Sequence, residues 1–358
     1  MEIFKLMQKT NTHEVVFFEE PSVSLRGVMA INNTVLGPAF AGCRIFNFGD
    51  PELAAENVLK MAYYNTYRSA LLRRAFGGGG IVLCGDPQKL KNEMYFRALG
   101  VFLNKLNGKL FLVRNSGITY SDMLDIKRES NYLLGIDENY RNSGNSPVDG
   151  IVKGMIWGLK AMVRKKFGKD TLENLSFAIQ GVGEVGSNLV RSLISQFKNI
   201  KIIITDIVYD KIKVLKDEYP WLTVVKPNEI FHQNTDVFIS CAFNNVISKQ
   251  QVDKIRAPII TSSINELFDN YEEIKGILEK KDILYVPGFV INGGEIILLQ
   301  NELEGKSPQI ASAQLKEVYQ TTWALIQKAE EMQMSIRDVA LQTAREYINQ
   351  VAIIKQLK

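Results

Sequence analysis

Leu175-Ser176-Phe177-Ala178-Ile179-Gln180-Gly181-Val182-Gly183-Glu184-Val185-Gly186 sets a short apolar run against three spaced glycines, and Leu189, Val190 and Leu193 follow at helical spacing. An apolar strand, a glycine turn and a helix in that order form the fingerprint of a dinucleotide-binding unit. Gly181 serves the tight turn, Gly183 lets the backbone approach a pyrophosphate, and Gly186 allows the helix to pack on the strand. Glu184 and Val185 open the helix, whose terminal N–H groups face the phosphates. The next apolar run, Lys201 to Thr205, ends in Asp206, twenty residues beyond Gly186. A carboxylate there accepts the ribose hydroxyls and repels a 2′-phosphate, which favours NAD over NADP. The alternative is a Rossmann domain that has lost its nucleotide.

Outward from this stretch, strand and helix signals keep alternating. Thr223 to Val225, Val237 to Ser240, Pro258 to Thr261 and Ile283 to Tyr285 read as strands, so residues 146–330 form a parallel sheet covered by helices. Upstream, a helix from about Pro147 to Phe167 follows the turn formers Asn142-Ser143-Gly144-Asn145-Ser146, which mark a hinge. Residues 1–145 form a second α/β domain. Glu14 to Phe18, Leu25 to Ile31, Ile81 to Cys84 and Leu110 to Val113 read as its strands, and Asp50-Pro51-Glu52 opens a helix with a side-chain cap and proline at its first position. The tail is helical by period. Leu315, Val318, Tyr319 and Trp323 share one face, and a last helix from Ser335 carries Val339, Ala340, Ala344 and Ile348.

Composition removes several classes of function. With 358 residues, 46% hydrophobic and 23% charged, the chain is globular and long enough for about two domains. No apolar run is long enough to span a membrane, and the charged N-terminus lacks a signal peptide's apolar block, which makes a cytoplasmic location the default. The balance of 43 basic and 39 acidic residues leaves no dense basic footprint for nucleic acid. Three dispersed cysteines (Cys43, Cys84, Cys241) suit reduced thiols. Only His13 and His232 are histidines, which excludes multi-histidine zinc sites. No metal site is expected.

The first domain adds Leu36-Gly37-Pro38-Ala39-Phe40-Ala41-Gly42-Cys43-Arg44, Thr66-Tyr67-Arg68, the run Gly77 to Gly80, Gly85-Asp86-Pro87 and Ser143-Gly144-Asn145. The second adds Cys241-Ala242, Asn265 and Val290-Ile291-Asn292-Gly293-Gly294. With Met1-Glu2-Ile3-Phe4, these motifs resemble the Glu/Leu/Phe/Val amino-acid dehydrogenase family, and its leucine branch most. The resemblance implies two α/β domains flanking a cleft: an N-terminal substrate-binding and oligomerisation domain (1–145, with 331–358 packing back on it) and a C-terminal Rossmann domain (146–330). It also implies NAD held by Gly181, Gly183, Glu184, Val185, Gly186, Asp206, Cys241, Ala242, Asn265 and Asn292, an amino-acid-like substrate, and a homo-oligomer.

Three positions depart from the family's catalytic set. The family's carboxylate-binding lysine falls on Arg68, the lysine ending its glycine run falls on Gly80, and its proton-exchanging aspartate falls on Asn115. Arg68 still pairs with a carboxylate through a bidentate fork. Gly80 offers no base, and Asn115 forms hydrogen bonds without titrating. One general acid–base group is worth about 10²–10⁴ in rate, so ordinary oxidative deamination is not expected. The first reading is hydride transfer to an imine or amine derived from an amino acid; the alternatives are a non-catalytic member that senses NAD or modulates an active paralogue, a reaction without net redox on an amino-acid-like substrate, and an active leucine- or phenylalanine-type dehydrogenase. Glu295 is a candidate acid for the first reading, against a solvated helix-start carboxylate stabilised by the macrodipole. Phe40, Gly42 and Leu134 suit an apolar substrate pocket, and Phe40 and Leu134 suit plain core equally. Cys43 is either a polar group by the cleft or a small packing residue. Val148-Asp149-Gly150-Ile151 departs from the family's Val-Thr-Ala and carries about two extra residues before Gly158.

Overall fold

In the computed structural model, residues 2–242, 247–268 and 270–357 are described. Met1 and Lys358, which belong to the motif and the tail read above, lie outside them. The chain divides into two compact units, one of Met1–Ser146, Leu298–Ala311 and Thr343–Lys358, the other of Pro147–Ile297 and Ser312–Gln342. Of the C-terminal residues, Leu298–Ala311 and Thr343–Lys358 belong to the first unit, whereas Ser312–Gln342 belongs to the second. The reason is packing within the second unit. The Glu317–Met332 helix lies on the Pro147–Phe167 helix, where Trp157 meets Tyr319 edge-on at 6.3 Å and Arg164 donates to the Tyr319 hydroxyl at 2.9 Å.

The first unit is built on a mixed sheet of β1 (Glu14–Glu20), β2 (Leu25–Asn33), β3 (Ala39–Phe46), β4 (Gly77–Cys84) and β5 (Leu110–Arg114), in the order β1-β2-β4-β3-β5. β4 is antiparallel to β2 and parallel to β3, which is in turn parallel to β5. The expected strands are present, but two features differ. β3 runs through the Ala39–Arg44 motif, and β4 begins at Gly77, so the glycine run is strand rather than its flank. Both strands are buried on two faces and show no alternation, the signal that betrays a half-exposed strand.

Pleating sorts the side chains onto two faces. Leu25, Met29, Ala41, Cys43, Ile45, Ile81 and Leu83 join Tyr95, Phe96, Leu99 and Leu103 in one core. Cys43, fully buried there, is a packing residue. Val28, Ala30 and Val82 meet Ala54, Ala55, Val58, Leu59, Met61 and Ala62 of the Pro51–Leu71 helix on the other face. Asp50 caps that helix by accepting from Glu52 N at 2.8 Å.

The second unit carries a parallel sheet of β6 (Ser176–Gln180), β7 (Lys201–Thr205), β8 (Thr223–Val224), β9 (Val237–Ser240), β10 (Ile259–Ser262) and β11 (Leu284–Tyr285). Its order is β11-β10-β9-β6-β7-β8. In sequence order this is the 3-2-1-4-5-6 arrangement of dinucleotide-binding sheets, with the strand order reversing beside β6. Gln180, the last residue of β6, pairs with Thr205 on one side and Ser240 on the other. Ligands of such sheets sit at the strands' carboxyl ends at that switch point.

Candidate dinucleotide and substrate sites

Beyond Gln180 the backbone turns sharply: Gly181 has φ +86°, and a Cβ there would lie 2.7 Å from Ala242 N. Gly186 faces the same turn so closely that a Cβ would come within 2.0 Å of Gly181 O and 3.2 Å of Cys241 Cβ. The turn, the start of the Glu184–Gln196 helix and Cys241-Ala242 beyond β9 are therefore one assembly. Gly183 is different. A Cβ there would meet nothing within 4 Å, so this glycine spaces no protein group. It leaves a cradle at a helix N-terminus that a side chain would fill, which fits an incoming pyrophosphate.

Asp206, just past β7, has both carboxylate oxygens fixed by backbone: Val182 N donates at 2.8 Å and Val208 N at 2.9 Å. The carboxylate expected at the ribose is thereby tied to the glycine turn. Further round, Asn292 donates through Nδ2 to Ser263 O at 3.0 Å and to Asn265 Oδ1 at 3.2 Å. Its own Oδ1 is buried and accepts from no protein group, although the residue is only 4% exposed. A buried acceptor without a donor is costly in isolation, and here it suits a ligand N–H. The dinucleotide residues expected from sequence thus fall into two clusters, one around Gly181 and one around Asn292.

Glu295 lies in the first turn of the Gly294–Leu303 helix and is 7% exposed, so it is not the solvated carboxylate of the simpler reading. Gly150, Gly154 and Gly158 were not recognised as a set from sequence, although their four-residue spacing is a readable signal. They let the Pro147–Phe167 helix approach closely: a Cβ at Gly294 would lie 2.1 Å from Gly150 O, one at Gly154 2.9 Å from Gly294 N, and one at Gly158 2.4 Å from Ile291 Cγ2. The altered Val148–Ile151 segment therefore begins a helix that seats the Asn292–Gly294 turn.

In the first unit, Phe40 and Gly42 of β3 and Gly80 of β4 share the sheet face covered by the Pro51–Leu71 helix. Gly42 and Gly80 are register partners. A Cβ at Gly80 would lie 2.5 Å from Met61 Cε and 3.1 Å from Val58 Cγ2. One at Gly42 would lie 2.8 Å from Asn115 Nδ2 and 3.5 Å from Met61 Sδ. Met61, missed from sequence because it reads as an ordinary core methionine, thus occupies the space beside both glycines. Asn115 follows β5 and accepts through Oδ1 from Ser116 N at 2.7 Å and Ser116 Oγ at 3.2 Å. Neither Gly80 nor Asn115 carries an ionisable side chain.

Arg68, 6% exposed, donates through Nη2 to Asn65 Oδ1 at 2.7 Å, and its guanidinium lies 5.8 Å from the Phe40 ring centroid. Phe40 also neighbours Phe76 at 6.2 Å. Leu134 is buried, its N–H bonded to Leu112 O at 3.0 Å. His13 and His232 are exposed. Among the described residues no group of three or more His, Cys, Asp or Glu is placed to hold a metal, and no helix is long and apolar enough to cross a membrane.

A sheet with the dinucleotide strand order, a glycine turn open to approach at a helix N-terminus and a separate α/β unit mark a two-unit α/β protein with a Rossmann-type sheet. The comparisons place it more closely. Residues 13–136 match the family model described as "Glu/Leu/Phe/Val dehydrogenase, dimerisation domain", and 204–355 match "Glutamate/Leucine/Phenylalanine/Valine dehydrogenase". The chain belongs to the Glu/Leu/Phe/Val dehydrogenase family. It is 35% identical to phenylalanine dehydrogenase of Bacillus thermotolerans over 324 residues (89% of this chain, 84% of that one). It is 34% identical to leucine dehydrogenase of Geobacillus stearothermophilus over 319 residues (89% and 86%). Among solved structures, L-tryptophan dehydrogenase from Nostoc punctiforme matches with a TM-score of 0.76 and 29% identity, covering 98% of this chain and 99% of that one.

Proposed function

We propose that this protein binds NAD and interconverts an imine and an amine derived from an amino acid, and that it does not carry out ordinary oxidative deamination. The observation that carries the reading is the environment of Gly80, where the Met61 methyl and Val58 stand against the backbone and no amine is present. Releasing ammonia from an amino acid requires water to be activated and protons to be exchanged at the carbon bearing nitrogen. A glycine, a thioether and an amide do neither.

The residues that would hold the dinucleotide are Gly181, Gly183 and Gly186 around the phosphates, Asp206 at the ribose, and Asn292 through its buried Oδ1. When bound, the nicotinamide supplies or accepts the hydride. What remains for the chain's own groups is modest: on the first unit, Arg68 grips the substrate carboxylate and Phe40 and Leu134 meet an apolar side chain; on the second, Glu295 is the candidate acid. Imine reduction needs no water, so it tolerates the loss that deamination does not. The reading also carries a homo-oligomer, in keeping with the matched dimerisation domain.

The test is NADH oxidation by the purified protein with a panel of cyclic and N-substituted imino acids, beside 2-oxo acids with ammonia. Turnover is expected with the imines and not with the 2-oxo acids. Ammonia-dependent turnover at rates typical of the family overturns the reading. No turnover with any substrate, while NADH binds, favours a nucleotide-sensing member instead.

A further inference from the structure

We propose that Asn65 is the positioning residue that fixes the plane of the Arg68 guanidinium, and that this fixed fork makes the site select a carboxylate over an uncharged group of the same shape. The proposal rests on the reading of Arg68 as a carboxylate clamp. Asn65 and Arg68 are three residues apart on the Pro51–Leu71 helix and so share a face. Asn65 is 2% exposed, and its amide is fully engaged. Nδ2 donates to Gly79 O at 2.9 Å and to Phe40 O at 3.4 Å, while Oδ1 accepts from Arg68 Nη2 at 2.7 Å. Both carbonyls accept only from N–H, so the amide cannot turn over without placing oxygen against oxygen. Its oxygen must face Arg68.

The amide therefore bridges β3 and β4 and transmits their geometry to the guanidinium. An unrestrained arginine side chain loses rotamer freedom when a ligand orders it. Here one edge is held by Asn65 Oδ1 and the Phe40 ring lies 5.8 Å away, so the fork is set before a ligand arrives. A planar fork in a fixed plane matches the two oxygens of a carboxylate and gives an amide a poorer fit. Nor is Asn65 the anchor of the helix. That role belongs to its neighbour Thr66, whose hydroxyl donates to Asn32 Oδ1 at 2.7 Å, Asn32 in turn donating to Thr10 O at 2.7 Å. Removing the Asn65 amide leaves this second network in place.

The experiment is calorimetric titration of the full chain, saturated with NADH, with 3-phenylpropanoate and separately with 3-phenylpropanamide. The ratio of the two dissociation constants is read in the native protein and in Arg68→Gln, Asn65→Ala and Asn65→Leu, with NADH affinity as the folding control. The native protein is expected to prefer the carboxylate by about 30-fold, and Arg68→Gln to lose that preference. Asn65→Ala is expected to cut it by about tenfold with NADH affinity unchanged, and Asn65→Leu to do the same. A native ratio retained in Asn65→Ala, beside its loss in Arg68→Gln, overturns the positioning role and leaves the clamp standing. Equal weakening of both probes by Asn65→Ala also overturns it, since that is what a merely structural residue would do. A native protein that binds neither probe, or binds both alike, overturns the clamp and the proposal with it.

Discussion

Two glycine-rich segments of this protein look alike in sequence and serve opposite ends. Between Gly181 and Gly186 the middle glycine faces open space, because what must come close is a ligand. Between Gly77 and Gly80 the protein itself has moved in. A Cβ at Gly78 would lie 2.1 Å from Thr66 Oγ1 and 2.2 Å from Ala62 O, and one at Gly80 would strike Met61 Cε. The first segment leaves its backbone open to approach. The second is a strand stripped of side chains so that a helix can lie on it. A glycine run therefore says only that something approaches the backbone.

Four substitutions would sharpen or break this contrast. The largest effect is expected from rebuilding the lost chemistry. Gly80→Lys alone should remain inactive, because Met61 fills the space, whereas Gly80→Lys with Met61→Ala and Asn115→Asp should gain leucine deamination by about 10²–10⁴ over the native protein. Leucine-dependent NADH formation measures it, and activity in Gly80→Lys alone would show that Met61 yields. Next, Gly183→Ala should leave the melting temperature nearly unchanged, since its Cβ meets nothing, yet weaken NADH binding by about 100-fold by filling the phosphate cradle. Titration and a thermal melt of the same sample decide whether the cradle is empty for a ligand.

Gly78→Ala should behave the other way round. It should cost about 2–4 kcal/mol of stability, as an overpacked core does, while the folded fraction binds NADH normally. A denaturant titration with NADH binding measured in parallel would refute the contrast if both properties changed together. The smallest effect is expected at Asp206→Asn, which keeps an oxygen for one backbone donor but loses the charge that repels a 2′-phosphate. Preference for NADH over NADPH should fall about tenfold, as read from the two dissociation constants.

Much of the second unit was legible because its signals are local. Lys201–Thr205 and Val237–Ser240 are read to the residue, and the Gly181–Gly186 turn lies in one stretch of chain beside the strand that needs it. The first unit yielded less. β3 was hidden, since Ala39 to Cys43 is buried on both faces and shows neither period, and the tail divides between the units at points no composition shift marks. Asn65 and Met61 carried no signal at all. An asparagine and a methionine on a helix are unremarked residues until the strand beneath them is known.

Sequence by itself determined the dinucleotide sheet, the family resemblance and the glycine and asparagine at positions 80 and 115, because each of these is written in residues adjacent along the chain. Only tertiary structure decided what surrounds them. The thioether beside Gly80, the amide holding Arg68 and the buried acceptor of Asn292 all depend on which distant backbone a side chain meets. That meeting is set by helix-on-sheet packing, and no spacing within one segment encodes it.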